Sequence, residues 1–396
     1  MMHVKPLVPL AGAALLVPVA AFAAHWTSAV VLVPLDKGAY ASAARIGEYL
    51  EQAVAASASY RIGEQTQKVF GIATPADAKE SQAAGRGEFL EGKRLFSQSY
   101  LEEAEGKFRK AIKTLEQAVP VLDGCNEFCD ALAYLGATLQ MKSDDAQARE
   151  YAKSVLILDP KYRFEGRGFG QNYLVIAKDV QKTLLHEAQF STASIYSTPP
   201  GGKVFIDGKE KGYTPLSIDQ IYAGKHLVRI ERQGSFIWGQ VIAVAATEDA
   251  VIKAKLQSTP EHAAIDEMLD RVVAEVEKGS PGPDSIALCG KLKVDRAVIG
   301  VVRSQADSVT VEAGLIDAKG KKRLAKRKAT FEGDEYGQLE REVEKFASGL
   351  LSDAEKTAGR NTSRDPLDHV DGTETWSEEP VKTEDRRKTR GEDDKE

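Results

Sequence analysis

The sequence predicts a multidomain α+β protein built from helical repeats, a small antiparallel β-sandwich and a small α/β domain. Three observations lead to this fold class. The chain has 396 residues, too many for one hydrophobic core. Apolar residues recur with helical periodicity from residue 85 to 160. From 194 to 257 they alternate between turn pairs, as in a sandwich. The net charge of −6 is spread over the whole chain and gives no reason to expect nucleic acid as a partner.

Residues 1–24 are typical of a secretory signal peptide. A basic residue precedes the apolar run 7–20, and the small residues of 21–24 form a cleavage site. The alternative is an uncleaved anchor, but Pro9 and Pro18 interrupt the apolar run. We therefore expect an exported protein of the periplasm or cell envelope, adjacent to a membrane but not spanning it after cleavage.

Residues 25–80 are predicted to be the first part of a small α/β domain. A β-type run, Ala29–Leu35, precedes a helix over about 43–56 and a short strand, Tyr60–Ile62. The loop after the first strand, Asp36–Ala39, lacks the glycine-rich cradle that holds the phosphates of a nucleotide. No cofactor is therefore expected.

Residues 85–190 are predicted to form helical repeats, because small and large residues recur at fixed spacings. The first copy contains Gly92, Leu95, Ala104, Phe108 and Ala111. The second copy contains Leu135, Gly136, Leu139, Ala148, Ala152, Val155 and Pro160. Small residues allow paired helices to approach closely, and Pro ends the second helix. The pattern resembles the tetratricopeptide repeat, although Ala152 stands where an aromatic residue is usual.

The resemblance to tetratricopeptide repeats implies a concave face that receives a peptide or helix of a partner protein. The candidate contact residues on that face are Leu95, Tyr100, Phe108, Tyr134 and Leu139. The alternative is that these large side chains fill the core of the repeats. A helix over 172–186 is expected to close this region.

Three cysteines in an exported protein leave one thiol over after any pairing. Cys125 and Cys129 are four residues apart and within reach of each other across one helical turn. We predict a disulfide between them; two buried thiols are the alternative. Cys289 lies in an apolar run and is interpreted as a core thiol. No metal site is expected, because further ligands are not nearby.

Residues 194–257 are the most informative segment. Asp207-Gly208 and Gln233-Gly234 supply the positive-φ residues of tight hairpins, and Pro199-Pro200-Gly201 enforces a bend. The segment resembles the PEGA domain, a small β-module of bacterial surface and envelope proteins. The residues that match its motif are Pro200, Gly202, Asp207, Gly208, Gly212, Thr214, Pro215, Gly224 and His226.

The tetrad that names the PEGA family differs here at two positions, because Gly201 and Lys203 replace Glu and Ala. The family has no catalytic residue, so the resemblance implies recognition rather than chemistry. His226 stands where the family often has a histidine. We expect it to form a structural hydrogen bond rather than to bind a metal.

Residues 262–354 are predicted to be the second part of the small α/β domain. The expected elements are a helix over 264–277, strands over 296–302, 309–317 and 323–331, and a closing helix over 338–351. The region resembles the second half of a small α/β domain of envelope proteins, whose first half resembles residues 29–70. Each half alone has exposed strand edges, so we predict that the strand at 29–35 pairs with the strand at 296–302. Residues 355–396 are polar and are predicted to be a disordered charged tail.

Two further motifs are interpreted structurally. The string Gly166, Gly168 and Gly170 is a linker, since no dinucleotide-binding βαβ unit surrounds it. The basic cluster 321–328 favours a charged hairpin that protects an edge strand, with anionic lipid or polymer binding as the alternative.

Three functions compete. The leading hypothesis is a non-enzymatic exported adaptor or scaffold of the cell envelope, which binds a protein through the helical repeats and an envelope component through the PEGA-like module. The alternative is a surface protein that binds glycan or peptidoglycan, with Tyr213, Tyr222 and Trp238 as candidate stacking residues. The third is an enzyme of unfamiliar type in the α/β portion, but the sequence contains no recognisable catalytic set.

Overall fold

The computed structural model describes residues 26–187, 189–277, 282–305, 308–332 and 338–362. The strands are β1 (Trp26–Pro34), β2 (Tyr60–Ile62), β3 (Phe190–Thr198), β4 (Lys203–Ile206), β5 (Lys209–Tyr213), β6 (Leu216–Tyr222), β7 (Gly224–Glu231), β8 (Trp238–Val244), β9 (Ala250–Lys255), β10 (Arg296–Gln305), β11 (Ser308–Asp317) and β12 (Lys322–Glu332). The helices are α1 (Ala39–Ala55), α2 (Glu64–Phe70), α3 (Ala76–Ser97), α4 (Leu101–Gln117), α5 (Asn126–Met141), α6 (Asp145–Leu158), α7 (Gln171–Glu187), α8 (Pro260–Ala263), α9 (Asp266–Glu277), α10 (Pro283–Leu292) and α11 (Gln338–Thr362), with a 3₁₀ turn at Val119–Val121. The predicted multidomain α+β class is confirmed.

One five-stranded sheet joins the two ends of the chain. Its strand order is β12-β11-β10-β1-β2. β1 and β10 are parallel, with Ser28 opposite Arg296 and Pro34 opposite Val302, so the predicted pairing of 29–35 with 296–302 is present. β10, β11 and β12 form an antiparallel meander. The helical layer and the sandwich are therefore inserted between two paired strands of one sheet.

Helices cover both faces of the five-stranded sheet. On one face α1 and α11 pack on the sheet, and Leu50, Val298 and Leu350 belong to this core. On the other face α9 and α10 cover Ala297 and Ile299. Alternate residues of β10 thus serve two cores, which explains why this strand is apolar at almost every position.

The final helix is longer than its composition suggested. Residues 355–362, predicted as the start of the tail, continue α11. Ala354 is fully buried, and the Asp353 carboxylate accepts a hydrogen bond from Arg327 Nε at 2.8 Å. These tertiary contacts stabilise a helix whose exposed side is polar. The predicted signal peptide and the tail beyond 362 lie outside the described residues, within which no helix has the length and apolarity to cross a membrane.

Helices α3 to α7 form a layer in which each helix packs on the next. α3 begins at Ala76 rather than at the predicted residue 85. Gly92 on α3 lies against Phe108 on α4, since a Cβ on this glycine would be 2.7 Å from Phe108 Cε1. Ala104 and Ala111 of α4 are fully buried. Small residues at these positions therefore allow α3 and α4 to approach closely.

The connection between α6 and α7 contributes aromatic side chains to the helical core. Phe164 and Phe169 are buried, and the Phe169 ring lies 4.7 Å from the Tyr134 ring, centroid to centroid. The Tyr134 hydroxyl donates to the Arg167 carbonyl at 2.7 Å. The glycine string 166–170 lies in this connection, so the linker interpretation is confirmed.

The inserted β-sandwich consists of a three-stranded sheet, β6-β3-β9, and a four-stranded sheet, β5-β4-β7-β8. Gln233-Gly234 does not form the predicted tight hairpin. It lies in a longer connection between β7 and β8, where Phe236 forms a bridge with Ala73. The inner faces of the sheets share a core that includes Ile195, Val204, Ile206, Val228, Ile230 and Ile252.

If the α/β domain unfolds as one cooperative unit, a destabilising substitution in its first part should also destabilise the strands of its second part. Leu50 on α1 is fully buried, so Leu50→Ala should lower the free energy of unfolding by about 2–5 kcal/mol. Amide hydrogen exchange should accelerate in 296–302 as well as in 26–62. The exposed neighbour Gln52 provides the control, and Gln52→Ala should change neither. Faster exchange confined to 26–62 would contradict the shared core.

Candidate binding face

A buried contact between Asp207 and His226 holds the middle of the sandwich. His226 Nδ1 lies 2.6 Å from Asp207 Oδ2, and its Nε2 lies 2.8 Å from the Tyr222 carbonyl oxygen. Because both partners are acceptors, the protonated imidazole, which donates from both nitrogens, is favoured. Burial by itself would lower the pKa of His226, but the hydrogen bond to Asp207 and the charge of Asp207 raise it. His226 has the structural role that the sequence predicted.

Thr214 connects the entry bend of the sandwich to the turn before β6. Its Oγ1 lies 2.5 Å from Ser197 Oγ and accepts a hydrogen bond from the Gly202 amide at 2.9 Å. A Cβ on Gly202 would lie 2.5 Å from Ile230 Cγ2, so a larger residue cannot fit. The remaining motif residues in turns and at strand ends are Pro200, Gly212 and Pro215. These three side chains carry no polar group, so their contribution is to the shape of the module.

One side of the sandwich packs on the helical layer. A Cβ on Gly208 would lie 2.6 Å from the Asp123 carbonyl oxygen, and one on Gly224 would lie 2.8 Å from Ile157 Cδ1. Arg229 Nη1 donates to Asp123 Oδ1 at 3.1 Å. Motif glycines therefore serve the contact with the helices as well as the turns.

Another side of the sandwich packs on α1 of the α/β domain. Lys203 Nζ lies 2.6 Å from Glu48 Oε2, and the Tyr213 hydroxyl donates to the same oxygen at 2.8 Å. Burial is the largest cause of a raised pKa for Tyr213, and the hydrogen bond to Glu48 and the charge of Glu48 raise this pKa further. A Cβ on Gly201 would lie 3.2 Å from the Tyr40 carbonyl oxygen, which leaves little room for a glutamate. Both positions at which the chain differs from the PEGA tetrad thus face α1.

The outer face of the β6-β3-β9 sheet remains exposed, and we call it the open sheet face. Phe190 and Tyr222 stack at one end of this face with ring centroids 4.6 Å apart. Tyr196, on the same side of β3, is 46% exposed near the other end. Since Phe190 and Tyr196 are six residues apart on one strand, the two aromatic positions are about 20 Å apart.

Hydroxyl groups lie between the aromatic positions of the open sheet face. Thr192 Oγ1 donates to Asp249 Oδ1 at 2.8 Å, and Ser194 Oγ donates to Asp249 Oδ2 at 3.1 Å. On β9, Lys253 and Lys255 are exposed and point to the same side as Tyr196, and neither has an ion-pair partner among the described residues. The face therefore combines aromatic surfaces, ordered hydroxyls and two free ammonium groups.

This composition suits an extended, hydroxyl-rich ligand that carries negative charge. Aromatic rings offer flat apolar surfaces to the C–H faces of sugars. Hydroxyl and carboxylate oxygens exchange hydrogen bonds with sugar hydroxyls, and ammonium groups attract carboxylates.

The helical residues predicted to contact a partner are mostly in the core. Phe108, Tyr134 and Leu139 are at most 6% exposed, so they stabilise the layer and are not available to a partner. Aromatic packing explains this burial, because Tyr134 lies 5.6 Å from the Phe108 ring and is covered by the connection between α6 and α7. Leu95 is half-buried against the same core. Of the five residues, Tyr100 is the exposed one.

The three cysteines occupy two different environments. Cys125 and Cys129 are joined by a disulfide across the first turn of α5, with a Cα–Cα distance of 5.2 Å. Cys289 is a residue of α10 with a buried free thiol that packs in the core, and burial raises its pKa to about 11. It is therefore a core residue rather than a nucleophile at neutral pH.

The basic cluster 321–328 lies at the start of β12, an edge strand of the five-stranded sheet. Lys326 forms an ion pair with Glu312, and Arg327 forms one with Asp353. These contacts favour edge protection over ligand binding. In the part of the chain that the structure describes, no three His, Cys, Asp or Glu side chains are grouped to hold a metal ion.

Of the three aromatic residues predicted to stack on sugars, Tyr222 lies on the open sheet face and the other two do not. Tyr213 is buried against α1, and Trp238 is half-buried against the sandwich core. Tyr222 does lie on the face, but Phe190 and Tyr196 were missed. The period-two pattern of β3 places Phe190, Thr192, Ser194 and Tyr196 on one side, and this signal could have identified them.

The His226–Asp207 contact predicts a pH dependence of stability. Because the pKa of His226 is raised in the folded state, its contribution is complete below about pH 6.5, the unfolded value, and is lost as pH rises through the folded value. Urea unfolding followed by intrinsic tryptophan fluorescence should therefore give lower stability at pH 8 than at pH 6. His226→Asn should remove most of this difference, whereas His186→Asn, on an exposed helical position, should retain it. An unchanged pH profile in His226→Asn would contradict the assignment.

The contact of Lys203 with Glu48 predicts energetic coupling between the sandwich and α1. A double-mutant cycle with Lys203→Ala and Glu48→Ala should give a coupling of about 1 kcal/mol in the free energy of unfolding, because both side chains are mostly buried. The exposed Lys68–Glu64 pair on α2 is a matched control and should give less than about 0.5 kcal/mol. Equal coupling in the two cycles would argue against a specific contact.

Comparison with known protein families assigns the sandwich but not the whole chain. Residues 190–260 match the model of the PEGA domain. This range contains the whole sandwich, from the start of β3 to the first residue of α8. No curated protein and no solved structure matches this chain. The chain therefore contains a PEGA domain, inserted with a helical layer into an α/β domain.

Proposed function

We propose that this protein is a non-enzymatic, exported adaptor of the bacterial cell envelope that binds a carboxylate-bearing polysaccharide on the open sheet face of its PEGA domain. The observation that carries the proposal is the exposure, on one face, of the Phe190–Tyr222 stack, Tyr196 and the lysines of β9. A polymer such as the cell wall offers sugar rings and carboxylates at repeated positions, which suits a long, shallow face.

The contacts of the PEGA domain support an adaptor role. The domain is fixed to α1 through Lys203 and Glu48 and to the helical layer through Arg229 and Asp123. A ligand on the open sheet face would therefore anchor the rest of the chain in a defined orientation, because these contacts oppose independent movement of the domain.

We further propose that the helical layer is tetratricopeptide-like and carries the contact with a partner protein. The close approach of Gly92 to Phe108 supports this interpretation. Three of the predicted contact residues are buried, so the proposed contact uses Tyr100 and Met141 instead. These residues are 55% and 44% exposed, and their turns lie at the same end of the layer, where Lys142 bonds to Glu105.

Sedimentation with purified cell wall tests the proposed ligand. The full chain should sediment with the wall, and Tyr196→Ala and Lys253→Ala should each weaken binding at least about five-fold, as expected for residues that contribute more than about 1 kcal/mol. Tyr100→Ala removes an aromatic side chain of similar exposure from the helical layer and should bind as the unchanged chain does.

Two outcomes would contradict the proposal. The full chain could remain in solution at wall concentrations that retain a known wall-binding protein. Alternatively, Tyr196→Ala and Tyr100→Ala could reduce sedimentation equally, which would indicate unspecific adsorption. Circular dichroism of each variant should match the unchanged chain, so that loss of binding is separated from loss of fold.

A further inference from the structure

We propose that the acidic first half of the C-terminal tail, residues 363–380, binds in a basic cleft at the amino end of β1. This inference is independent of the proposed ligand of the PEGA domain. The cleft has a volume of about 440 Å³ and is lined by Thr27, Arg61, Ile62, Glu64, Lys68 and Lys293, among others. We call it the amino-end cleft.

The amino-end cleft carries an excess of positive charge. Its charged lining residues are Arg61, Glu64, Lys68 and Lys293. Glu64 is already paired with Lys68 at 2.8 Å. The nearby Asp295 carboxylate is engaged by the amide and the hydroxyl of Thr27, at 2.9 and 2.6 Å. The lining therefore holds three cations against one carboxylate, and an acidic ligand would meet the charges of Arg61 and Lys293.

A buried arginine beside the cleft adds to this charge. The Arg296 guanidinium stacks on Trp26, 3.9 Å from the ring centroid, and Nη1 donates to the Tyr60 hydroxyl at 2.7 Å. Its Nε is buried without an acceptor, and no carboxylate within the described residues forms an ion pair with it. Trp26 directly precedes Thr27, which lines the cleft, so the uncompensated charge would favour an anion there.

The last helix ends close to this cleft. α11 runs antiparallel to β12, since Phe346 packs on Phe331 and Asp353 bonds to Arg327. Its later residues therefore approach the sheet end that holds Arg296. Burial raises the pKa of Tyr60, and the charge of Glu355 adds to this effect against the opposing charge of Arg296. α11 ends at Thr362, about 10 Å further along the helix than Glu355.

The tail that follows α11 has the complementary charge in its first half. Residues 363–380 contain six acidic residues, Asp365, Asp368, Asp371, Glu374, Glu378 and Glu379, against one Arg. The same stretch holds Leu367, Val370 and Trp376, which suit the apolar lining at Ile62 and the exposed Trp26. At up to about 3.3 Å per residue, this stretch is long enough to reach the cleft from Thr362. The next residues, 381–390, contain five bases and two acids and do not match it.

Cross-linking in the full chain tests the proposal. A carbodiimide activates carboxylates for amide formation with nearby lysine amines, and mass spectrometry identifies the joined peptides. We expect acids of 365–379 to be joined mainly to Lys68 and Lys293. Arg61→Glu leaves both lysines in place but removes charge from the cleft, so it should lower the yield of these cross-links several-fold. Lys37→Glu makes the same kind of change on an exposed residue at the opposite end of β1 and should leave the yield unchanged.

Three outcomes would overturn the proposal. Cross-links of the acidic segment could be spread evenly over lysines of the whole surface. Arg61→Glu could keep the full yield while its melting temperature matches that of the unchanged chain. In a mixture of isotope-labelled and unlabelled protein, the cross-links could join different molecules, which would indicate association between copies rather than intramolecular docking.

Discussion

The parallel pairing of β1 with β10 is the constraint on which the rest of the structure depends. β1 lies in the interior of the sheet, so its backbone groups are satisfied only when β10, 268 residues later, lies beside it. Thr27 and Asp295 fix the register at the amino end, because the Asp295 amide donates to the Thr27 carbonyl while its carboxylate accepts from the Thr27 hydroxyl. The chain between the two strands therefore starts and ends in the same sheet. The helical layer and the PEGA domain are therefore held between two fixed points.

This arrangement determines which surface of the PEGA domain can meet a ligand. The four-stranded sheet is engaged on two sides, by Glu48 of α1 through Lys203 and by Asp123 of the helical layer through Arg229. What remains is the outer face of the three-stranded sheet, where strand periodicity sets Tyr196 outward and Ile195 inward. The proposed binding role thus follows from packing between distant segments as much as from the domain itself.

Local sequence signals predicted the elements well and their surroundings poorly. Turn residues such as Asp207-Gly208 depend on neighbours in the chain, and the structure contains this turn as expected. Tyr213 and Tyr196 are both aromatic residues of strands. The period-two pattern of β3 sets Tyr196 outward, but no local pattern shows that another element covers Tyr213. Tyr213 is buried because Glu48, 165 residues away, accepts its hydroxyl. Burial of Tyr134 likewise depends on the connection between α6 and α7. The periodicity of neighbouring residues does not predict a contact between segments so far apart in sequence.

The contacts of the PEGA domain with α1 also explain the two altered positions of the PEGA tetrad. A glutamate at position 201 would crowd the Tyr40 carbonyl, and an alanine at 203 would leave Glu48 without its ammonium partner. Both replacements therefore adapt the domain to α1 of its own chain rather than to an external ligand. Since the tetrad side faces inward, the recognition that we propose uses residues outside the family motif. On the open sheet face, formed by β3, β6 and β9, aromatic and basic side chains remain accessible together. The proposed ligand would therefore contact the sheet opposite the one that contacts the rest of the chain.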